Sequence, residues 1–461
     1  MQRHPVTDLV VFVPGIQGSI LARDGTPVWS LSPGAGWRGL RTALSSVADL
    51  RLPDGIGDSD PGDGVVATDV MGSLHVVPGV WSVVVGYRGL LRWMRRSFTV
   101  DPDEAGRPGN LMVFAYDWRL SNRFNACRLE REVLPALERW RAAGHPDAKV
   151  TFVCHSMGGL LVRYFLEVRG GAQLCHRLVT MGTPYRGSLA ALRYLVDGFR
   201  IGGWEIEKLS RLARSLPSLH QLVPAYDCVV VGGGLVHLRD HKLDGPDPGL
   251  LSDAFAFHDE IAAAVARRGD TDRYEVHPII GYGQPTPTTV RPGAAGCTWD
   301  NRIDGEDEGG DGRVPFLSGL PLELQRQGPR ERAHLEAHGA LADHRGVREG
   351  VKFALTQQRR FHRGPVDAVA FGVDGPETVP AGSSWTVTVM SPDDGLALST
   401  KVTSALEPGP SPSATLANLG GGRYAHTFPG LPAGLYEVST TAAGTTQAVT
   451  TYLTVWQVDD G

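Results

Sequence analysis

Short apolar runs that end at a turn and give way to helical periodicity recur along the first 360 or so residues, and this alternation constrains the fold more than any other feature. Leu9–Val13 (LVVFV) stops at Pro14-Gly15. Residues 111–116 (LMVFAY) run into Asp117-Trp118-Arg119, after which Phe124, Leu129, Val133, Leu134, Leu137 and Trp140 recur at helical spacing until Gly144 and Pro146. Residues 149–154 (KVTFVC) read as the next strand, 158–168 as the next helix, and 178–181 and 276–282 as further strands. A strand that is apolar along its whole length is buried on both faces, so the pattern predicts a mostly parallel sheet with helices on both sides. Between 189 and 273 the strand signal weakens and helical segments such as 205–216 dominate, which predicts a helical cap inserted over the sheet.

After Arg363-Gly364-Pro365 the texture changes. Alternating runs at 366–373, 385–390, 424–428, 436–440 and 449–455, split by Pro/Gly clusters, predict an all-β, immunoglobulin-like sandwich. The expected organisation is an α/β domain over residues 1–364 and a sandwich over 365–461. Gly434-Leu435-Tyr436 stands either at a fold-back of that sandwich or in its plain core.

Composition narrows the function. The formal charge of -5 is unevenly spread: beyond residue 364, Lys401 and Arg423 are the only basic residues. Neither part carries the basic stripe that a phosphate backbone requires, so nucleic acid is not an expected partner. Five cysteines, an odd number without C-x-x-C spacing, predict neither a metal site nor a disulfide framework and fit a reducing compartment. The start MQRHPVTDLVVFVPG does not read as a secretory leader, and no apolar run approaches the ~20 residues of a membrane span. The expected location is cytoplasmic, with no cofactor.

The sharpest signal is Cys154-His155-Ser156-Met157-Gly158, placed where a strand ends and a helix begins. A serine on so tight a turn is lifted out of the sheet. This is the nucleophile-elbow pattern G-x-S-x-G with a small cysteine in place of the first glycine. The bland alternative is a helix N-cap serine. A serine hydroxyl needs a base, and the base an orienting carboxylate, in the chain order Ser, acid, His. Asp311, between Gly310 and Gly312, is the candidate acid. Asp300, Asp304, Glu306, Asp307 and Glu308 compete, as a solvated acidic loop or an irregular calcium site. For the base, residues 331–336 (ERAHLE) read as a short last strand and 346–355 as a helix. His338 falls in the loop between them, with His344 as the alternative and His334 inside the strand. Two backbone amides must hold the developing oxyanion. Met157, just after the nucleophile, supplies one, and the loop Pro14-Gly15-Ile16-Gln17-Gly18-Ser19 the other, through Gln17.

With these segments in place the chain resembles the lecithin:cholesterol acyltransferase family of α/β-hydrolases, which includes lysosomal phospholipase and plant phospholipid:diacylglycerol acyltransferases. The resemblance rests on VFVPGIQGSI (11–20), YDWRL (116–120), VCHSMGGLLVR (153–163), MGTPYRG (181–187), GYGQPTPT (281–288), GDGRVP (310–315) and the stretch from His338 to Leu355, in family order across about residues 8–360. It implies an α/β-hydrolase fold, Ser156, Asp311 and His338 as the triad, and Gln17 with Met157 as the oxyanion donors. It also implies that Tyr116, Asp117 and Trp118 line the site, or close a loop beneath it. Arg313 departs from the family's usual threonine, no cysteine pair reproduces the lid disulfide of secreted members, and the sandwich lies outside the resemblance.

The expected activity is hydrolysis of a glycerolipid or phospholipid ester through an acyl-enzyme. The alternatives are transfer to a lipid alcohol, action on a small ester or lactone, or a non-catalytic binding role. Residues 87–98, with Trp93 among Arg88, Arg92, Arg95 and Arg96, read either as a helix lying on an anionic membrane or as an ordinary surface helix. The acidic sandwich is a candidate surface for a protein partner.

Overall fold

The computed structural model describes residues 3–30, 50–72, 86–103, 108–201, 204–268, 274–327, 333–356, 369–405, 411–445 and 448–456. At its centre is a six-stranded, all-parallel sheet in the order Ala333–Leu335, Glu275–Tyr282, Cys175–Met181, Val150–His155, Leu9–Val13, Leu111–Val113. Leu9–Val13 and Val150–His155 are buried at every position, which is why they read as unbroken apolar runs. Their side chains alternate between two cores. Leu9, Val11 and Val13 join the cluster beneath the helices Asn122–Ala142 and Met157–Glu167, whereas Val10 and Phe12 join the one beneath Arg88–Ser97 and Arg345–Thr356. The register pairs Val13 with Cys154 and His155 with Met181, so these strands end level and their loops emerge side by side.

The α/β-hydrolase fold expected from the sequence is present, with two instructive differences. The 111–116 strand stops at Val113, because Tyr116 gives its amide to Ser19 Oγ at 3.0 Å instead of a neighbouring strand. Within the cap stretch, Asp227–Val231 and Gly234–His237 form a hairpin that joins Thr289–Gly293 and Gly296–Asp300 in a four-stranded sheet, so the insertion is not purely helical. Its longest helix, Pro248–Arg268, lies against Met157–Glu167, where Phe257 stacks on Tyr164 at 5.4 Å.

The arginine-bearing helix spans Arg88–Ser97. Leu90 and Met94 are buried in the sheet-side core, and Trp93 packs edge-on against Phe98 at 5.5 Å. Its apolar face is therefore turned inward, and Arg88, Arg92, Arg95 and Arg96 are exposed. No helix among the described residues is long and apolar enough to cross a membrane.

Past the α/β portion, a four-stranded sheet (Gly372–Asp374, Trp385–Met390, Arg423–Phe428, Ala417–Gly420) faces a five-stranded one (Thr378–Pro380, Ala448–Trp456, Gly434–Ala442, Leu398–Ser404, Ser413–Thr415) across a shared core. Residues 366–368 and 331–332 of the expected strands lie outside the described residues. Leu398–Ser404 escaped the sequence reading because one of its core positions is polar: Thr400 is buried and hydrogen-bonds Thr440 across the ladder at 2.8 Å. Tyr436 is buried and its hydroxyl donates to Pro432 O at 3.0 Å, the corner arrangement known from sandwich folds. One core residue of the sandwich comes from elsewhere: Leu335, on the edge strand of the central sheet, packs in this cluster.

Candidate active site

Ser156 sits between the Val150–His155 strand and the Met157–Glu167 helix at φ 51°, ψ −126°, a strained conformation for a residue with a Cβ. Its surroundings over-determine it. The Ser156 amide donates to Met181 O at 2.8 Å, and its carbonyl accepts from Thr183 Oγ1 at 2.8 Å. The crossing of helix and strand tolerates no side chain at position 158, where a Cβ would stand 2.4 Å from Pro14 O.

The structure brings the three distant residues together. His338 Nε2 is 2.9 Å from Ser156 Oγ, and His338 Nδ1 is 2.7 Å from Asp311 Oδ2. Since a carboxylate can only accept, Nδ1 carries the proton there and Nε2 is free to accept from the serine. The other oxygen of Asp311 accepts from the amides of Arg313 and Val314 at 2.9 and 2.7 Å, and the His338 amide donates to Asp311 O at 2.8 Å. All three side chains are buried. The competing acids Asp300, Asp304, Glu306, Asp307 and Glu308 are exposed, and among the described residues no group of three or more potential metal ligands converges. His334 and His344 face each other with ring centroids 5.6 Å apart, and burial pushes the imidazole of His334 down to about 4.

Gln17 occupies the left-handed region at φ 61°, and Trp29 Nε1 donates to its carbonyl at 3.1 Å, which fixes the turn. Neither the Gln17 nor the Met157 amide has a hydrogen-bond partner among the described residues. The Tyr116-Asp117-Trp118 segment lies beneath this turn. Tyr116 donates its hydroxyl to Pro14 O at 3.0 Å, and Trp118 packs edge-on against Trp29 at 4.8 Å. Asp117 holds Arg119, itself fully buried, through contacts of 2.7 to 3.1 Å. Of the two roles read for this segment, these contacts describe the one beneath the site.

Two residues that the sequence reading missed complete the surroundings. The Gly15 amide donates to the Tyr87 hydroxyl at 3.0 Å, so that hydroxyl gives its own proton to His155 Nδ1 at 2.9 Å. His155 Nε2 then faces His338 O at 3.4 Å. Burial, together with the charge of His338, pushes the His155 imidazole down to about 3, so it is a neutral strut linking the 14–19 loop to the His338 loop. Nothing in the spacing of Tyr87 marks it, because its partners are 72 and 68 positions away.

Fold and geometry thus define an α/β-hydrolase. The lecithin:cholesterol acyltransferase family model matches residues 104–247. Lecithin-cholesterol acyltransferase-like 4 from Arabidopsis thaliana is 27% identical over 243 residues, which are 48% of this chain and 43% of that protein. The matched stretch is therefore less than half the length of this curated relative. The family resemblance read from the sequence is supported over the matched stretch, where the chain is similar to the lecithin:cholesterol acyltransferase family. Among solved structures, the Bacillus licheniformis lipase BlEst2 in its propeptide form is similar at 13% identity and a TM-score of 0.36, covering 98% of this chain and 94% of that one. Phospholipase PlaB from Legionella pneumophila is similar at 10% identity and a TM-score of 0.25, covering 79% and 85%.

Proposed function

We propose that the protein is a serine acyl hydrolase of lipase or phospholipase type, acting on glycerolipid or phospholipid esters through Ser156, His338 and Asp311. One observation carries the reading: a buried imidazole that touches a strained serine hydroxyl on one side, at 2.9 Å, and a carboxylate on the other, at 2.7 Å. Ser156 Oγ attacks the ester carbonyl while His338 Nε2 takes its proton. Asp311 stabilises the imidazolium, and the amides of Gln17 and Met157 receive the oxyanion. Collapse expels the alcohol, which takes the proton from His338, and leaves an acyl group on Ser156. Water then enters as the second nucleophile, with His338 again the base.

The lipid substrate class follows from the family match, which also favours a second reading in which a lipid alcohol replaces water. The five cysteines are all unpaired thiols, which supports a reducing, cytoplasmic setting. The exposed arginines of Arg88–Ser97 offer a contact for an anionic membrane, and the sandwich a surface for a protein partner.

Labelling with a fluorophosphonate probe, followed by assays on short-chain esters and on phospholipid vesicles with and without an added long-chain alcohol, tests all of this. The reading predicts an adduct on Ser156 and release of free fatty acid from the vesicles. Ester formation on the added alcohol favours acyl transfer, turnover of short esters alone favours the small-ester reading, and folded protein without an adduct favours a binding role.

A further inference from the structure

Among the described residues, four polar side-chain contacts and the packing of Leu335 and Tyr282 join the C-terminal sandwich to the α/β portion; three of the polar ones involve Arg313, Gln284 and Glu336, beside the acid and the base, and the fourth runs from Tyr194 Oη to Glu377 at 3.2 Å. Arg313, whose own amide holds Asp311, ion-pairs through its guanidinium with Glu377 of the sandwich and donates to Tyr194 Oη at 2.8 Å. Glu336, two positions before His338, accepts from the amide of Thr450 at 3.2 Å and from that of Ala337 at 2.9 Å. Gln284, whose amide donates to Gly310 O, accepts from the amide of Val373 at 3.0 Å. Leu335, at the end of the strand leading to His338, is buried in the sandwich core. By contrast, among the described residues no hydrogen bond or ion pair reaches from 369–456 to the strand, elbow or helix around Ser156. Between the tethers a cavity of about 150 Å³ opens, lined in part by Asp311, His338, Glu377 and Tyr452.

We propose that the sandwich is a positioning element for the acid–base half of the triad, with Glu377 and Glu336 as positioning residues that act through Arg313 and the His338 loop. This rests on the triad reading above. Arg313, the departure from the family pattern, is the residue through which an appended domain grips the acid loop. Loosening either loop lets the imidazole drift from Ser156 Oγ, and small misplacements of reacting groups cost about tenfold or more in turnover.

The test uses the full chain carrying Glu377→Ala, Glu336→Leu or the conservative Glu336→Gln. Each is normalised to folded enzyme by circular dichroism and to active sites by fluorophosphonate titration, and assayed on a soluble short-chain ester. The expected result is a kcat lowered about tenfold in Glu377→Ala and Glu336→Leu with KM within about twofold. Inactivation by the probe should slow in parallel, and the acid limb of the pH profile should move to lower pH, because an imidazolium less well served by Asp311 loses its proton sooner. Glu336→Gln keeps the acceptor and retains activity. Folded Glu377→Ala and Glu336→Leu enzymes with wild-type kcat and an unmoved acid limb overturn the proposal. Failure of the parent reading is distinguishable, since unaltered protein would then not label at Ser156 at all.

Discussion

Replacing Asp311 by asparagine probes the site most sharply, because the change alters hydrogen-bond polarity while keeping shape. The carboxylate accepts three hydrogen bonds, two on Oδ1 from the amides of Arg313 and Val314 and one on Oδ2 from His338 Nδ1. An asparagine must direct its oxygen at the two amides, since turning its NH2 toward them would bury two donor–donor contacts at about 1 to 3 kcal/mol each. The NH2 group then faces His338 Nδ1, which can only accept, and the ring proton moves to Nε2. That nitrogen lies 2.9 Å from Ser156 Oγ and can no longer take the serine proton. Loss of the working tautomer costs about 10⁴ in kcat, roughly 5.5 kcal/mol of transition-state stabilisation. The fold should be unharmed. Steady-state hydrolysis of a p-nitrophenyl ester, with near-ultraviolet circular dichroism as the check on folding, measures the effect. A folded Asp311→Asn enzyme losing less than about tenfold would refute both the tautomer argument and the assignment of the acid.

Three further outcomes follow from the same contacts. Gly182 has φ 60°, and a Cβ there would lie 3.0 Å from His338 Nδ1 and 3.1 Å from Asp311 Oδ2, so Gly182→Ala should wedge between acid and base and lower kcat more than it raises KM. Asp117→Ala should leave Arg119 without its buried anion, with only the partly exposed Asp63 remaining, and lower stability by about 3 kcal/mol in chemical denaturation. Glu336 is pushed up to about 7, chiefly by burial, with Glu437 adding to the effect and the Ala337 and Thr450 amides opposing it. Because the folded form holds that proton more tightly than the unfolded one, stability should fall as pH rises from about 4.5 to about 7, by up to about 3 kcal/mol, and level off on either side. Glu336→Gln should flatten that slope in urea unfolding curves taken across the range; an unchanged slope would show that the carboxyl titrates normally.

How much of this was legible beforehand depended on chain distance. The elbow could be read because strand, turn and helix are contiguous and Ser156 stands at their junction. The acid stayed open among six candidates, for all of 300–311 is acidic and glycine-rich, and only tertiary contacts separate the buried Asp311 from its exposed neighbours. The base was open for the same reason. His334, His338 and His344 lie within ten positions, and what selects His338 is the placement of the elbow 182 residues earlier. Tyr87, His155 and Glu377 carried no signal, because a strut is defined by its far end.

The distribution of support around the site follows from where its members sit in the sheet. Ser156 emerges from Val150–His155, flanked on both sides by paired strands, and its strained turn is held by strand, loop and helix together. Asp311 and His338 follow the last two strands, and the outermost of these, Ala333–Leu335, is three residues long and pairs on one side only. A short edge strand gives little resistance to bending, so the loop after it needs an anchor from outside the sheet. In this chain the anchor lies in the sandwich. Leu335 is buried in its core, Glu336 takes an amide from Ala448–Trp456, and Arg313 reaches Glu377. Ser156 is thus held by the α/β fold, while the segments carrying Asp311 and His338 are also tied to a sandwich that the family resemblance does not cover.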